Sequence, residues 1–167
     1  MNRRRFLTFC GLGIATAGGY FGWRRYHLPS IPEGMKVGTQ HIEGDIFVED
    51  SSRDSKFLEW QEESQTLITK REEVNREIID EESISPFLND IDFEDSYLIV
   101  VQNGMQSEME LVLDGIFQRE YGLHLNVSID SPRGGPDDLL THSLLIRVID
   151  EDGEVPEEVS IYIRGYV

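Results

Sequence analysis

Strict alternation between apolar and polar side chains marks residues 123–129, which read LHLNVSI. If this segment is extended, its four aliphatic side chains share one face, because successive side chains of a β-strand point to opposite sides. His124, Asn126 and Ser128 then share the other face. The same period-two pattern recurs at residues 109–113. Both segments are therefore predicted as strands of a sheet with one dry face and one wet face.

Further strands are predicted on both sides of these two segments. Residues 97–101 (YLIVV) form an unbroken aliphatic and aromatic run, which is typical of a strand covered on both faces. The remaining predicted strands are residues 65–69 (QTLIT), 144–149 (LLIRVI) and 159–163 (VSIYI), together with one or two short strands within 37–48, with turns at Gly38 and Gly44.

One helix is predicted, over residues 70–80 (KREEVNREIID), because Val74, Ile78 and Ile79 form an apolar stripe and charges fill the other faces. Pro86 predicts a loop over residues 83–95, since proline interrupts a helix. Polar, glycine-rich or proline-rich composition predicts further loops at residues 50–56, 131–138 and 150–153.

Neighbouring strands with short links favour antiparallel meanders over βαβ units, which need crossover helices. We therefore expect a mainly β fold with minor α+β character. The expected architecture is an antiparallel sandwich or half-barrel with one short helix at an edge, preceded by an N-terminal signal or anchor helix.

Charge is distributed very unevenly along the 167 residues, whose formal net charge is −17. Residues 1–29 contain five arginines and no acid, whereas the remaining 138 residues hold ten basic and all 32 acidic residues, a formal charge of −22. Only three residues are lysine. Molar salt shortens the Debye length to about 3 Å and screens such repulsion, so the composition indicates a halophile-type surface. The same charge argues against nucleic-acid binding, which needs a basic footprint.

The N-terminus reads MNRRRFLT over residues 1–8 and is followed by an uncharged run that ends at Trp23. It resembles the twin-arginine translocation signal, roughly S-R-R-x-F-L-K. Arg3 and Arg4 match the arginine pair, and Phe6 and Leu7 match the apolar positions. The resemblance implies export of the folded protein across the membrane.

Two fates of this leader remain open. A small-residue site at residues 15–17 predicts cleavage after Ala17 and a secreted domain. An uncharged run of eighteen residues, 6–23, spans about 27 Å as a helix, which predicts a retained anchor with the domain facing outside. The single cysteine, Cys10, follows Phe9 rather than a small residue, so lipidation is not expected. Three regions result: a signal or membrane anchor (1–23), a linker (24–36) and an acidic domain (37–167).

Several segments between residues 66 and 163 follow the order and spacing of one known domain family. They are LITKREE at 67–73, IDFE at 91–94, YLIVV at 97–101 with Gly104 beyond it, and LTHS at 140–143 before the strand at 144–148. These segments resemble the PrcB C-terminal-like domain. That family includes an accessory lipoprotein of a spirochaete surface protease complex and many envelope proteins.

The resemblance implies a non-catalytic envelope module that assembles with other proteins, and it implies no chemistry. Its motif positions in this chain are Asp92, Phe93, Gly104 and Thr141. Two departures occur: QSEM at 106–109 replaces a Thr-Gly-Gly-Tyr-like stretch, and His142 and Ser143 follow Thr141 where the family often has Thr-Ser-Pro. The first departure places a partner-contacting turn in doubt.

Three histidines are candidate metal ligands or general bases: His41, His124 and His142. None stands in an H-E-x-x-H or H-x-x-x-H spacing. Thr141 and Ser143 flank His142, but neighbouring residues of a strand face opposite sides, so no nucleophile–base pair is expected. His124 is expected to be a solvated residue on a wet face.

Acidic groups at residues 92–95 and 150–152 follow no EF-hand pattern and are interpreted as solvated carboxylates. Asn126 begins a glycosylation sequon but lies in the middle of a predicted strand. No cofactor, metal or catalytic residue is assigned. The sequence therefore favours a non-catalytic envelope or extracellular module with an unidentified protein partner. The alternatives are a small hydrolase or metal-dependent enzyme using His142 or His124, and a structural surface component.

Overall fold

The computed structural model describes residues 28–48, 58–131, 138–151 and 155–165. Seven strands form two sheets within these ranges. The four-stranded sheet has the order β1-β6-β3-β2 and contains β1 (Met35–Glu43), β6 (Leu139–Asp150), β3 (Ser96–Gln106) and β2 (Glu63–Ile68). The three-stranded sheet has the order β4-β5-β7 and contains β4 (Glu110–Arg119), β5 (Gly122–Asp130) and β7 (Glu158–Arg164).

The two sheets pack face to face as a β-sandwich, which confirms the predicted mainly β fold. Both strands with period-two patterns lie in the three-stranded sheet and turn their aliphatic side chains inward. These side chains meet alternate residues of β3 and β6, including Ile99, Val101 and Ile146, in one buried cluster. The core thus lies between the sheets, where apolar burial contributes about 25 cal/mol per Å².

β3 is buried along nearly its whole length, as the unbroken apolar run at 97–101 predicts. It lies inside its sheet, between β2 and β6, and both of these pairings are antiparallel. Its inward side chains join the core between the sheets. Its outward side chains, including Leu98 and Val100, belong to a second apolar cluster. Both faces of β3 are therefore dry.

The second cluster is covered by two helices, whereas the sequence predicted a single helix at an edge of the sheet. Helix α1 (Arg71–Glu77) contributes Val74, and Ile78 follows at its C-terminal cap. Helix α2 (Ser85–Asn89) contributes Leu88. The prediction of an edge position was wrong because Leu98, Val100 and Leu145 give the four-stranded sheet an apolar outer face that must be covered.

The prediction of a loop over residues 83–95 was also wrong, since α2 lies within it. Pro86 occupies the first turn of α2. A proline is tolerated there because the first N–H groups of a helix have no partner inside the helix. The domain therefore has two short helices in its described part, not one.

β7 pairs with β5 in parallel, with Val159 opposite Leu123 and Ile163 opposite Val127. An entirely antiparallel arrangement was expected. The chain leaves β5, crosses to the other sheet as β6, and returns as β7. That intervening strand takes the place of a crossover helix, so the three-stranded sheet is mixed.

Gly38 lies inside β1, opposite Arg147, and not at a turn as predicted. A Cβ atom at Gly38 would lie 3.3 Å from Nη2 of Arg147. Arg147 in turn donates from Nη1 to the carboxylate of Asp90 at 2.6 Å and to its backbone carbonyl at 3.0 Å. Gly38 therefore leaves room for a side chain that ties the end of α2 to the sheet. Gly44, at φ +147°, does lie at the bend where β1 ends.

β1 begins at Met35, and Ser30 makes an isolated bridge to Gly115 of β4. The residues just before position 37 thus contact the domain, although the sequence assigned them to the linker. The export-signal residues Arg3, Arg4, Phe6 and Leu7, the cleavage site at Ala17 and most of the loops at 50–56 and 131–138 lie outside the described residues. Within the described ranges, no helix is long and apolar enough to cross a membrane.

Candidate functional site

The buried strand β3 changes its chemistry halfway. We call residues 97–101 its apolar half and residues 102–104 its polar half. Gln102 and Asn103 are almost completely inaccessible to solvent, as are His142 and Ser143 on the neighbouring β6. Buried polar groups are costly unless they are paired. The polar half and its neighbours are thus the natural place to look for a site.

His41 of β1 and His142 of β6 form a hydrogen-bonded pair across two adjacent strands. Nε2 of His41 lies 3.1 Å from Nδ1 of His142. The ring centres are 5.3 Å apart and the planes differ by 11°. The separation of the centres is close to the separation of the nitrogens plus the two ring radii. The rings therefore lie end to end in nearly one plane, rather than face to face.

This end-to-end geometry fixes how protons are shared. One of the two nitrogens must carry hydrogen and the other must offer its lone pair. It also argues against chelation of one ion by these two nitrogens, because their lone-pair directions point at each other. Within the described ranges, no cluster of three or more histidine, cysteine, aspartate or glutamate residues is arranged to hold a metal.

Burial favours the neutral form of His142. Its ring is completely inaccessible, and burial lowers its pKa from the ordinary value; the Gln106 backbone and the Asp138 carboxylate act in the opposite direction. Nε2 has no partner in hydrogen-bond geometry among the described residues, so the Gln106 carbonyl is near without satisfying it. Asp138 instead accepts a 2.5 Å hydrogen bond from the hydroxyl of Ser107.

A second polar group lies on the opposite side of the same sheet. The amide nitrogen of Gln102 donates to Oδ1 of Asp45 and to Oγ of Ser143, both at 2.9 Å. Ser143 donates in turn to the carbonyl of Gly44 at 2.8 Å. His142 and Ser143 thus face opposite sides of the sheet. As predicted from the sequence, they do not form a nucleophile–base pair.

Two of the family-motif positions hold one segment in place, residues 58–62, which we call the strap. The backbone of Gly104 bonds to Gln61 at 2.9 Å and to Glu62 at 3.0 Å. A Cβ atom at Gly104 would lie 1.9 Å from the carbonyl oxygen of Glu59, so no larger residue fits without moving the strap. The hydroxyl of Thr141 accepts a hydrogen bond from the amide of Leu58 at 3.3 Å. Both positions are therefore structural.

The other two motif positions shape the turn before β3. The carboxylate of Asp92 accepts from the amide of Glu94 at 3.0 Å, and its carbonyl accepts from the hydroxyl of Ser96. Phe93 lies under the guanidinium of Arg71, 5.0 Å from ring centre to Cζ. Arg71 also donates to the carbonyls of Leu88 and Ile91. These contacts fasten α1 to the turn, and the structure does not bring Asp92 and Phe93 together with Gly104 and Thr141.

An open cleft of about 600 Å³ lies beside this turn, between residues 69–72 and residues 89–94. Its guanidinium, from Arg71, is already engaged by backbone carbonyls. None of the candidate histidines lines it. The cleft therefore does not bring the candidate histidines together in one site.

His124 lies in the other sheet, on the outer face of β5. Its Nδ1 is 2.9 Å from Oγ of Ser160 on the neighbouring strand β7. It is half-buried rather than fully solvated. His124 thus lies on a different sheet from the His41–His142 pair.

We call this outer face of the three-stranded sheet the open face, because no helix covers it among the described residues. Phe117, on β4, is 41 % exposed and Tyr162, on β7, is 58 % exposed. Asn126 of the sequon lies in register with Tyr162 and faces outward, as predicted. The carboxylate of Asp114 is paired on this face. It accepts hydrogen bonds from the hydroxyl of Ser128 at 3.0 Å and from Nε of Arg164 at 3.2 Å.

The sequence identified the three histidines but not the pairing of His41 with His142, which are 101 positions apart. The available signal was the pair of polar residues directly after the buried run, at 102–103, together with a histidine two residues before the strand predicted at 144–149. The open face was also missed as a unit, because its aromatic residues come from two strands that pair only in the folded chain.

No family model, curated protein or solved structure gives a significant match to this chain.

Proposed function

We propose that this chain is a non-catalytic module displayed at the cell envelope, which binds a partner protein through its open face. The single observation that carries the proposal is the exposure of Phe117 and Tyr162 on a sheet face that no described element covers. The outer face of the other sheet is covered by α1 and α2. The two faces thus have different uses.

The composition of the open face supports a protein partner. Aromatic residues and arginine are enriched at the centres of protein interfaces, whereas lysine, aspartate and glutamate are depleted there. Phe117, Tyr162 and Arg164 fit this pattern. Side chains without a carboxylate lie between them, including His124 and Asn126. The domain is highly negative, so the lack of free carboxylates at the centre of the open face distinguishes this face from the rest of the described surface.

The arrangement of the histidines supports a role without catalysis. His142 is inaccessible to any substrate, and His124 is bonded to Ser160 on a flat sheet. A general base must reach the proton it removes. The alternative of a small hydrolase or metal-dependent enzyme using His142 or His124 has no such geometry in its favour.

The N-terminal leader and the negative charge of the domain support a location outside the cytoplasm. The twin-arginine pattern at Arg3 and Arg4 supports export, with the domain either anchored by residues 6–23 and facing outside or released after Ala17. The formal charge of −22 over the last 138 residues supports a salt-rich environment. The resemblance to the PrcB C-terminal-like domain is a further reason to propose assembly with a surface complex.

Site-specific photocrosslinking tests the docking role. A photoreactive phenylalanine is placed at Phe117 or at Tyr162 of the full chain in its native envelope, in molar salt. Trp60 is the matched control, since it is 40 % exposed and lies by the four-stranded sheet. We expect the same protein adduct, identified by mass spectrometry, from both open-face positions and none of it from Trp60.

Three outcomes are informative. The same adduct at Trp60, or no adduct at either open-face position, would contradict docking through the open face. An adduct with a second copy of the chain would instead favour the structural surface component. The intact mass of the native protein separately tests export, because cleavage after Ala17 removes seventeen residues.

A further inference from the structure

The His41–His142 pair joins the end of β1 to the first third of β6. His41 lies near the C-terminal end of β1, and Glu43 is opposite His142 in the strand register. Beyond Glu43 the chain bends at Gly44, whose carbonyl still accepts a hydrogen bond from the hydroxyl of Ser143 on β6 at 2.8 Å. The bond between the two rings is therefore a side-chain connection at the point where the backbone ladder between β1 and β6 ends.

We propose that the His41–His142 pair is an acid-sensitive latch, which holds the end of β1 on β6 near neutral pH and opens in mild acid. The role is independent of docking through the open face, which lies on the other sheet.

The latch follows from the number of protons that the bond can hold. In the neutral pair, one nitrogen donates and the other accepts. One added proton is compatible with the bond, because a protonated ring still donates to a neutral one. A second added proton destroys it, because both facing nitrogens then carry hydrogen. The closed state therefore binds at most one extra proton, whereas two separated, hydrated rings bind two.

The surroundings of His142 reinforce this limit. The ring is completely buried, which opposes a charge on it. On β3 its neighbour is Asn103, a neutral amide that donates to the carbonyl of Glu62 at 3.2 Å. The members of the adjoining core cluster from the β4 side, Met109 and Leu111, are apolar.

Acidic groups from three segments lie around the pair, and they do not remove the limit on the protons that the closed pair can bind. Glu43 of β1 is exposed, and Glu59 and Glu62 of the strap bond to each other, with Oε2 of Glu62 accepting from the amide of Glu59 at 2.9 Å. Asp138, before β6, favours a charged ring. Burial is the larger influence on His142 and lowers its pKa, so a charge on this ring is disfavoured when the chain is closed.

The direction of the pH effect follows by linkage. The open state binds more protons than the closed state below the ordinary histidine pKa of about 6.5. The latch therefore contributes fully above about pH 6.5, and its contribution declines as the pH falls below that value. An excess of one proton raises the opening equilibrium constant by up to about tenfold for each pH unit.

Hydrogen exchange of the full chain, read by mass spectrometry in molar salt at pH 7.5 and 5.5, tests the latch. This window lies above the ordinary pKa values of carboxylates, roughly 4. After correction for intrinsic rates, we expect up to about tenfold more opening at pH 5.5 in β1 and in the half of β6 that carries His142. The apolar half of β3 should not respond.

Two variants and one control assign the effect to the pair. His142→Phe and His41→Phe keep a ring but cannot take up a proton, so the response to pH should disappear in both. His124→Phe removes a histidine from the other sheet and should leave the response intact. An unchanged response in the folded His142→Phe variant would overturn the proposal.

If the variants do not fold, a measurement on the unaltered chain tests the latch. Nitrogen chemical shifts of labelled histidine report the protonation of each ring. We expect the two rings together to take up no more than one proton at pH 5.5 as long as β1 remains protected. Uptake of protons by both rings while β1 stays protected from exchange would refute the latch.

Discussion

The apolar half of β3, residues 97–101, and its polar half, residues 102–104, are buried to the same degree but for different reasons. The apolar half lies between two hydrophobic clusters, one on each side of its sheet. The polar half lies among the His41–His142 pair, the Gln102 network and the strap. Burial alone therefore does not reveal what a strand contributes. The first half provides cohesion, and the second half fixes where β1 and the strap attach.

The largest effect is expected from a cavity in the apolar half. Ile99→Ala should lower the free energy of unfolding by about 4 kcal/mol, because the side chain is fully inaccessible at the centre of the core. Chemical denaturation in molar salt measures the loss. Val112→Ala on the half-exposed side of β4 is the control and should cost well under half as much. Equal losses would mean that the two sheets do not share one tight core.

Overpacking of the polar half should come next. Gly104→Ala places a methyl group 1.9 Å from the carbonyl oxygen of Glu59, which displaces the strap and costs about 3 kcal/mol. The matched control is Gly38→Ala, whose methyl group would lie 3.3 Å from the side chain of Arg147 and not against backbone, so the expected loss is limited to the Arg147–Asp90 contact, about 1 kcal/mol or less. Denaturation curves of both variants check the contrast, and similar losses would contradict a fixed strap.

Replacement of a buried polar group should matter less than either. Gln102→Met keeps the length of the side chain and removes both donors to Asp45 and Ser143. It also removes Oε1, which has no hydrogen-bond partner in the described part of the chain. The expected loss is about 1 kcal/mol or less. Ser143→Ala, which leaves the buried amide of Gln102 with one acceptor fewer, should cost more. A larger loss for Gln102→Met than for Ser143→Ala would show that the hydrogen bonds of Gln102 contribute net stability to the fold.

The smallest effect concerns a polar atom within the apolar half. The hydroxyl of Tyr97 is buried without a hydrogen-bond partner among the described residues. Tyr97→Phe should leave stability unchanged or raise it by up to about 1 kcal/mol, as measured by thermal unfolding.

The same variant should also change the behaviour in alkali. Burial, and then the charge of Asp150, raise the pKa of Tyr97 above its ordinary value of 10.0. The unfolded chain therefore ionises first, and stability falls as the pH rises above about 10. Tyr97→Phe should remove this part of the alkaline loss. An identical alkaline profile in the variant would mean that Tyr97 is hydrated.

Much of the fold was accessible from the sequence because hydrophobic periodicity reports which faces are dry. The pattern at 123–129 and the run at 97–101 predicted strands that the structure contains. The predictions of a loop around Pro86 and of a turn at Gly38 were wrong, since proline and glycine each occur in two common structural contexts. Proline both ends helices and starts them, and a glycine in a strand often makes room for a neighbour rather than a turn.

The candidate site was accessible only in part. The sequence identified His41, His124 and His142 as residues to consider and correctly separated Thr141 and Ser143 from His142 in space. It did not pair His41 with His142, because that contact depends on β1 lying beside β6. Strand partners so far apart in the chain are set by the packing of the whole domain, which no local pattern contains.

The pairing of β1 with β6 also sets the order in which the domain can be completed. Met35 is opposite Asp150, so β1 has no neighbour in its sheet until β6, about a hundred residues later in the chain, is available. Contacts this distant in sequence slow folding, because a long loop must close before any stabilisation is gained. β7 likewise waits for β6 to cross between the sheets. Chains that stop before residue 139 therefore lack β6 and leave β1 without its partner strand.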